Sequence, residues 1–273
     1  VTGSGPGLVV FTDLDATLLD EATYSFDPAR EALAVLSQRR IPLVLCSSKT
    51  RAELERLALA LGMSWPLVAE NGGSILWAQA GGYRAEPRGT PRAHLVAALE
   101  DIARETGSVL RGFASLSAGE VEAITGLGPA AAREAMAREH DEPFLVDAGD
   151  IAAVAAAAER RGLRVSRGGR FHHLTGLGDK GQAVGEILAT YRADGPPVPS
   201  VALGDAVNDL SMLAAVDRPI VVPRPDGAPD AGLARSLPYA ELAPAPGPEG
   251  WNAAVMAVLR GERLPTVRAT PQR

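Results

Sequence analysis

At 273 residues, the chain holds about two domains' worth of sequence at roughly 150 residues each. Its 27 Lys and Arg against 33 Asp and Glu leave a formal net charge of −6. That excludes a global positive field for a polyphosphate backbone, so nucleic acid is not expected as a partner. The 46% hydrophobic and 22% charged content is that of a globular chain, and no apolar run approaches the roughly 20 residues of a bilayer-spanning helix, so no membrane association is expected.

Residues 1–7 carry neither the basic start nor the long apolar core of a signal peptide, and are expected to be a flexible tail, native or vector-derived. Residues 8–12 form a continuous apolar and β-branched run, the mark of a strand buried on both faces in a parallel sheet. Similar short runs recur at 41–46, 66–69, 200–203 and 219–222. Between them, apolar residues at three-and-four spacing predict helices over 27–40, 51–61, 180–192 and 209–216. This alternation predicts an α/β fold with a doubly wound parallel-sheet, Rossmann-like core. A long stretch between the third and fourth strands has its own pattern, with helices over 91–106 and 149–162, the latter capped by Asp150, and strands over 143–146 and 163–166. It is expected as an inserted, smaller α/β domain. The domain boundaries are therefore 1–81 for the first core segment, 82–173 for the insertion and 174–273 for the second core segment. Rich in Pro, Gly and Ala, residues 223–250 are expected to be extended loop before a last helix over 251–260.

The single cysteine, Cys46, rules out an intrachain disulfide and a multi-cysteine zinc site. A reducing cytoplasm is the expected compartment. Apolar residues precede Cys46 and no histidine lies near it, which favours a small buried apolar role over a nucleophile.

Four strand ends and helix starts carry polar residues. Asp13 and Asp15 close the first strand and, by alternation, share one side of it at the carboxyl end, where open α/β sheets bind ligands. They are either a solvated turn or a pair whose repulsion a cation or a phosphate chemistry uses. Ser47, Ser48 and Lys49 follow the second strand, where hydroxyls and free N–H groups form either an anion cradle or a plain N-cap by Ser48 or Thr50. Asp179 is placed to cap the helix that opens at Lys180, where the helix dipole disfavours a cation. Either a bound anion resolves that conflict or the lysine is solvated. The fourth strand ends in Gly204-Asp205, with Asn208 and Asp209 beyond. Asp209 is a helix cap or, with Asp205, a contributor of oxygen ligands of the kind Mg²⁺ takes.

These elements, in this order, resemble the haloacid dehalogenase superfamily of phosphatases. Asp13, Asp15 and Thr17 match its Asp-x-Asp-x-Thr motif, Ser47 its second motif, Lys180 its third, and Gly204, Asp205 and Asp209 its Gly-Asp-x-x-x-Asp. Two positions depart from the pattern: Ala16 stands where glycine is usual, and Ala206 where glycine or serine is common. Both are small, so a tighter loop is expected rather than lost activity. In this superfamily an insertion placed like residues 82–173 is a substrate-selecting cap. Glu70-Asn71-Gly72-Gly73, Ser47-Ser48-Lys49-Thr50 and the return strand 165–174, with Arg167, Gly168, Gly169, Arg170, His172 and His173, are similar to segments of the mannosyl-3-phosphoglycerate phosphatases.

The resemblance implies a Mg²⁺-dependent phosphatase of mannosylglycerate synthesis, a compatible-solute route, that works through an aspartyl-phosphate. Asp13 would be the nucleophile and Asp15 the acid and base, while Lys180 and Ser47 would hold the phosphoryl oxygens. Asp13, Asp15, Asp205, Asn208 and Asp209 would serve the metal. Ser48, Lys49, Glu70, Asn71, Gly72, Arg167, Gly168, Arg170 and His172 would bind a small phosphorylated sugar-glycerate. The guanidinium forks of Arg167 and Arg170 suit its carboxylate or phosphate, and of His172 and His173, which alternate sides, at most one would face the substrate. A monomer or weak homodimer is expected. The alternatives are a generic sugar-phosphate or sucrose-phosphate type phosphatase on the same core, or a non-catalytic sugar-phosphate-binding sensor. A P-loop kinase and a dinucleotide enzyme are excluded by the absence of their glycine motifs.

Overall fold

The computed structural model describes residues 7–168, 170–193 and 197–269. The expected tail, apart from Gly7, and Gly169 of the return segment lie outside the described residues. In chain order the described strands are β1 (Val9–Thr12), β2 (Leu43–Cys46), β3 (Leu67–Ala69), β4 (Ser74–Gln79), β5 (Gly82–Pro87), β6 (Val109–Gly112), β7 (Asp141–Ala148), β8 (Arg164–Gly168), β9 (Phe171–Thr175), β10 (Ser200–Gly204), β11 (Arg218–Val221) and β12 (Glu241–Leu242). The chain forms two compact units. One comprises Val1–Ser47, Trp65–Val68 and Asp179–Arg273; the other comprises Ser48–Ser64 and Ala69–Gly178. The second unit thus takes in residues 48–64, 69–81 and 174–178 as well as the 82–173 insertion.

In the first unit, six strands pair in the order β12-β11-β10-β1-β2-β3, every pair parallel. The apolar runs of β1 and β2 are buried throughout, as expected for strands covered on both faces. Successive strands leave β1 in one direction through β2 and β3, and in the other through β10, β11 and β12. The strand order therefore reverses at the β1–β10 pair, and the carboxyl ends of these two strands form the topological switch point where open α/β sheets bind ligands. The Asp13 N–H donates to the Leu203 carbonyl (2.9 Å), which carries the ladder one residue past β1 and aligns Asp13 with the Gly204-Asp205 turn. Trp251, fully buried, donates from its indole to Thr12 Oγ1 (2.9 Å) and so fixes the last residue of β1 from below.

One expectation for this unit changes. Residues 223–250 are not continuous loop: they hold a helix over Ala231–Ser236, strand β12, and the start of the last helix, Gly247–Leu259. Pro248 occupies the first helical turn, where its missing N–H costs nothing. β12 is held by Glu241, a buried carboxylate bonded by Arg218 (2.7 Å) and Arg263 (2.9 Å).

The second unit contains the antiparallel β4–β5 hairpin and a four-stranded antiparallel sheet in the order β6-β7-β9-β8. The expected single return strand is the β8–β9 hairpin, with Arg170 at its turn. One face of the four-stranded sheet packs Phe144, Leu174 and Val165 against helices Arg92–Thr106 and Ile151–Glu159. The other packs Phe171 and Leu145 with Phe113, Val121 and Ala132, the last two from helices Ala118–Thr125 and Pro129–Met136. Among the described residues, no helix is long and apolar enough to cross a membrane.

Candidate active site

In the first unit, β1, β10 and the helix Lys180–Arg192 bring four charged groups together. The ammonium of Lys180, wholly buried, donates to Asp13 Oδ1 (2.5 Å) and Asp209 Oδ1 (2.7 Å). Asp209 Oδ2 accepts the N–H groups of Asp205 (3.1 Å) and Ala206 (3.2 Å), so this carboxylate braces both the lysine and the turn. Thr17 Oγ1 donates to Asp205 Oδ1 (3.1 Å), which ties the loop after β1 to the loop after β10. Asp13, Asp205 and Asp209 each offer an oxygen within 4.8 Å of the others.

Local sequence explains the geometry. A Cβ on Gly204 would lie 2.6 Å from Asp209 Cβ and 2.7 Å from its Cγ, so only glycine lets Asp209 fold back against the strand end. A Cβ on Gly181 would meet the Ser211 carbonyl at 2.4 Å, so this glycine seats the helix that carries Lys180. Asp179 caps that helix through Gln182 N–H (3.0 Å). The conflict of a lysine at a helix N-terminus is resolved by anions of the protein itself, Asp13 and Asp209. Ala16 adopts φ 57°, the left-handed region that glycine would enter freely.

The electrostatics define what the cluster lacks. Burial, then the neighbouring Asp209, push Asp13 well above the ordinary carboxylate range despite Lys180. Burial and Asp209 likewise push Asp205 up to about 7. Burial alone would favour neutral Lys180, but Asp13 and Asp209 hold its pKa above the ordinary value. When ionised, the three carboxylates exceed the one ammonium by two negative charges in an all-oxygen site, and a hard divalent cation matches that donor set and that charge.

Asp15 is half-buried and Asn208 exposed. Ser47 is buried at the end of β2, its N–H on the Val68 carbonyl (3.0 Å). Cys46 is fully buried, and burial raises its thiol far above the usual range, as a packing role requires.

In the second unit, Thr50, not Ser48, caps the helix Arg51–Ala60, in a reciprocal box with Glu53. The Lys49 carbonyl accepts the Glu70 N–H (3.0 Å). Glu70, buried and with its pKa raised by burial, uses both oxygens on backbone, accepting from Glu139 N–H (2.8 Å) and His140 N–H (2.7 Å). Glu70 and Asn71 both have positive φ, as does Gly72, and a Cβ on Gly73 would strike His140. This explains physically why the segment reads Asn-Gly-Gly.

The two arginines of the return hairpin diverge. Arg167 pairs across β8–β9 with His172, and His172 lies against Phe144 with ring centroids 5.6 Å apart, on the face covered by helices Arg92–Thr106 and Ile151–Glu159. Arg170 donates to the Ile124 carbonyl, on the opposite face. Gly168 is the last residue of β8. The opposite face also carries His173, whose Nδ1 lies 2.7 Å from Asp141 Oδ2, and Arg138, whose Nη1 donates to the same oxygen (2.7 Å) and to the Ser48 carbonyl (2.7 Å). Arg138 and Asp141, three residues apart, escape motif reading because their other partners, Ser48 and His173, lie far along the chain. The one available signal was the alternation of His172 and His173, which sends a single histidine to this face.

The sheet order and the acid cluster define the class, and comparison agrees. A family model of haloacid dehalogenase-like hydrolases matches residues 10–105, and the chain superposes on a haloacid dehalogenase-like hydrolase from Bacteroides thetaiotaomicron with a TM-score of 0.62 at 19% identity, over 93% of this chain and 99% of that one. A glucosyl-3-phosphoglycerate/mannosyl-3-phosphoglycerate phosphatase of Methanococcoides burtonii is 40% identical over 265 residues, covering 92% of this chain and 97% of the relative. One of Persephonella marina is 33% identical over 267 residues, with the same coverage. The chain belongs to this family of phosphatases, phosphoric monoester hydrolases of the haloacid dehalogenase type.

Proposed function

We propose that the chain hydrolyses the phosphate ester of mannosyl-3-phosphoglycerate, and of its glucosyl analogue, to the glycosylglycerate and phosphate in a Mg²⁺-dependent reaction. The relatives' names support the substrate. The observation that carries the chemistry is Lys180, buried between Asp13 and Asp209 at the switch point.

The Asp13 carboxylate attacks phosphorus and forms an aspartyl-phosphate while the bond to the glycerate oxygen breaks, and Asp15 gives that oxygen its proton. In the second step Asp15 takes a proton from water as the water oxygen attacks phosphorus, which releases phosphate and restores the Asp13 carboxylate. Lys180 neutralises charge on Asp13 and on the phosphoryl oxygens, and the Ser47 hydroxyl donates to those oxygens. Mg²⁺ would be held by Asp13, Asp205 and Asp209, and would supply the charge neutralisation that lets a carboxylate approach a phosphate dianion. Asn208 has an exposed position on the same turn from which to order solvent around the ion.

We assign substrate choice to the second unit, with residues 82–173 as the cap and Ser48, Lys49, Asn71, Gly72, Gly168 and Arg170 on the substrate. In this reading Glu70 acts through the 139–140 backbone that it clamps. The single cysteine and the small phosphorylated substrate fit a cytoplasmic enzyme, working as a monomer or weak homodimer. The test is phosphate release from mannosyl- and glucosyl-3-phosphoglycerate beside simple sugar phosphates. Preference for the phosphoglycerates, lost with EDTA and restored by Mg²⁺, is expected; equal rates on all esters would support a generic sugar phosphatase.

A further inference from the structure

Within the second unit, Asp141 has no exposed side-chain surface, yet only one of its oxygens is bonded within the protein. Oδ2 takes both Arg138 Nη1 and His173 Nδ1 at 2.7 Å. Oδ1 is buried and meets no donor among the described residues. A buried acceptor without a donor is rare and calls for a group from outside the protein, such as a hydroxyl or an ordered water. The two partners of Asp141, Arg138 and His173, are also incomplete among the described residues. Arg138 uses Nε on the Ala135 carbonyl (3.1 Å) and Nη1 on Ser48 and Asp141, which leaves Nη2 bonded to none of the described residues. His173 uses only Nδ1. Their side chains keep 9% and 12% of their surface exposed, so each presents a small accessible edge.

Placement adds chemical direction. Arg138 is anchored on the carbonyl of Ser48, the residue that directly follows Ser47, and Glu70 clamps the backbone between Arg138 and Asp141. The cluster thus offers a guanidinium nitrogen and an imidazole nitrogen, each on an accessible edge, on a segment tied to the residue that follows the one whose hydroxyl is assigned to the phosphate. A substrate carboxylate can meet both of these accessible groups, whereas a plain sugar phosphate supplies no second anion for them.

We propose that Arg138 and His173, fixed by Asp141 as a positioning residue, read the carboxylate of the glycerate portion of the substrate. Arg167 and His172, on the other face of the sheet, are not part of this subsite. The inference rests on the phosphoglycerate reading above, and its test separates the two.

The experiment measures kcat/KM of the full-length protein for mannosyl-3-phosphoglycerate and for its neutral carboxamide, with Mg²⁺ present. The wild type should favour the carboxylate by about tenfold to a hundredfold, the worth of one or two charge-assisted hydrogen bonds. Arg138→Gln should bring that ratio close to one. Because this variant also disturbs a buried ion pair, the histidine carries an independent arm. In His173→Asn the amide replaces the bond to Asp141 but not Nε2, so the ratio should fall. In His173→Gln the amide reaches the Nε2 position, so the ratio should be partly kept. Thermal melts verify that each variant is folded. Variants that keep the wild-type ratio, or a wild type that does not distinguish the two compounds, overturn the subsite while leaving the phosphatase reading intact. A wild type that hydrolyses neither compound but does hydrolyse other phosphate esters overturns the substrate reading and the subsite with it.

Discussion

Asp13 and Lys180 share one hydrogen bond, but the energetics of removing each are opposite. Asp13 carries a charge that its surroundings disfavour, so Asp13→Asn should leave the metal-free fold as stable as wild type or more so. Turnover should fall on the order of 10⁴-fold or more, as for a missing nucleophile. Lys180→Met instead strands two carboxylates in a buried site and should cost about 3–5 kcal/mol. Urea denaturation and phosphate release on the two variants check the contrast; a stable Lys180→Met protein would contradict the buried pairing. Ala16 gives a smaller test. Its φ of 57° is unfavourable for any residue with a Cβ, so Ala16→Gly should gain up to about 1 kcal/mol, measured by the same denaturation.

Legibility at this scale follows the range of the interaction. Lys180 was conspicuous from sequence because a cation at a helix start is a local contradiction, and the structure resolves it with Asp13 and Asp209. Arg138, Asp141 and His173 carry no such contradiction. Arg138 and Asp141 sit three apart on a segment without regular periodicity, and His173 joins them only through the β7–β9 pairing. Ala16 was legible as an exception to a motif, but its backbone angle was not.

At the level of elements, the site depends on two close approaches that glycine permits. Gly204→Ala would press a methyl group into the Asp209 side chain, which its bonds to Lys180 and to the Asp205 and Ala206 N–H groups hold in place. It should cost about 1–3 kcal/mol as overpacking. It should also lower kcat, because Asp209 holds Lys180 and the Asp205-Ala206 N–H groups at once. Denaturation together with steady-state kinetics checks both halves, and a fully active Ala variant would remove Gly204 from the account. The strands and helices around these glycines were legible because continuous apolar runs and three-and-four spacing span whole elements. The helix Ala231–Ser236 and the two-residue strand β12 were not, since neither is long enough to establish a period. Composition there pointed to loop, whereas Glu241 with Arg218 and Arg263 holds strand pairing in place.

For the whole molecule, a net charge of −6 says little about function, because the decisive charges are clustered and belong to different units. The first unit holds the surplus of carboxylates around Lys180, and the second holds Asp141 between Arg138 and His173. This separation predicts two independent levers on stability. A divalent cation that binds the folded first unit adds RT ln(1 + [L]/Kd), about 2.7 kcal/mol at a hundredfold excess over Kd, and should raise that unit's melting transition by roughly 5–10 °C. Acid should weaken the second unit, whereas in the first, where Asp13 and Asp205 have raised pKa values, it relieves repulsion. Burial raises the pKa of Asp141, but His173 and Arg138 outweigh it and hold the pKa below the ordinary 3.8. A carboxylate with a depressed folded pKa stabilises fully above its unfolded value and loses that contribution as pH falls through the folded one. Stability of the second unit should therefore hold from neutral pH down to about 4 and decline below it. In Asp141→Asn most of that decline should be absent, from a lower starting stability. Scanning calorimetry with and without Mg²⁺, repeated between pH 7 and pH 3, resolves the two effects. A wild-type transition that ignores Mg²⁺ would remove the cation from the acid cluster, and an Asp141→Asn protein with an unaltered acid limb would remove Asp141 from the second unit's response to acid.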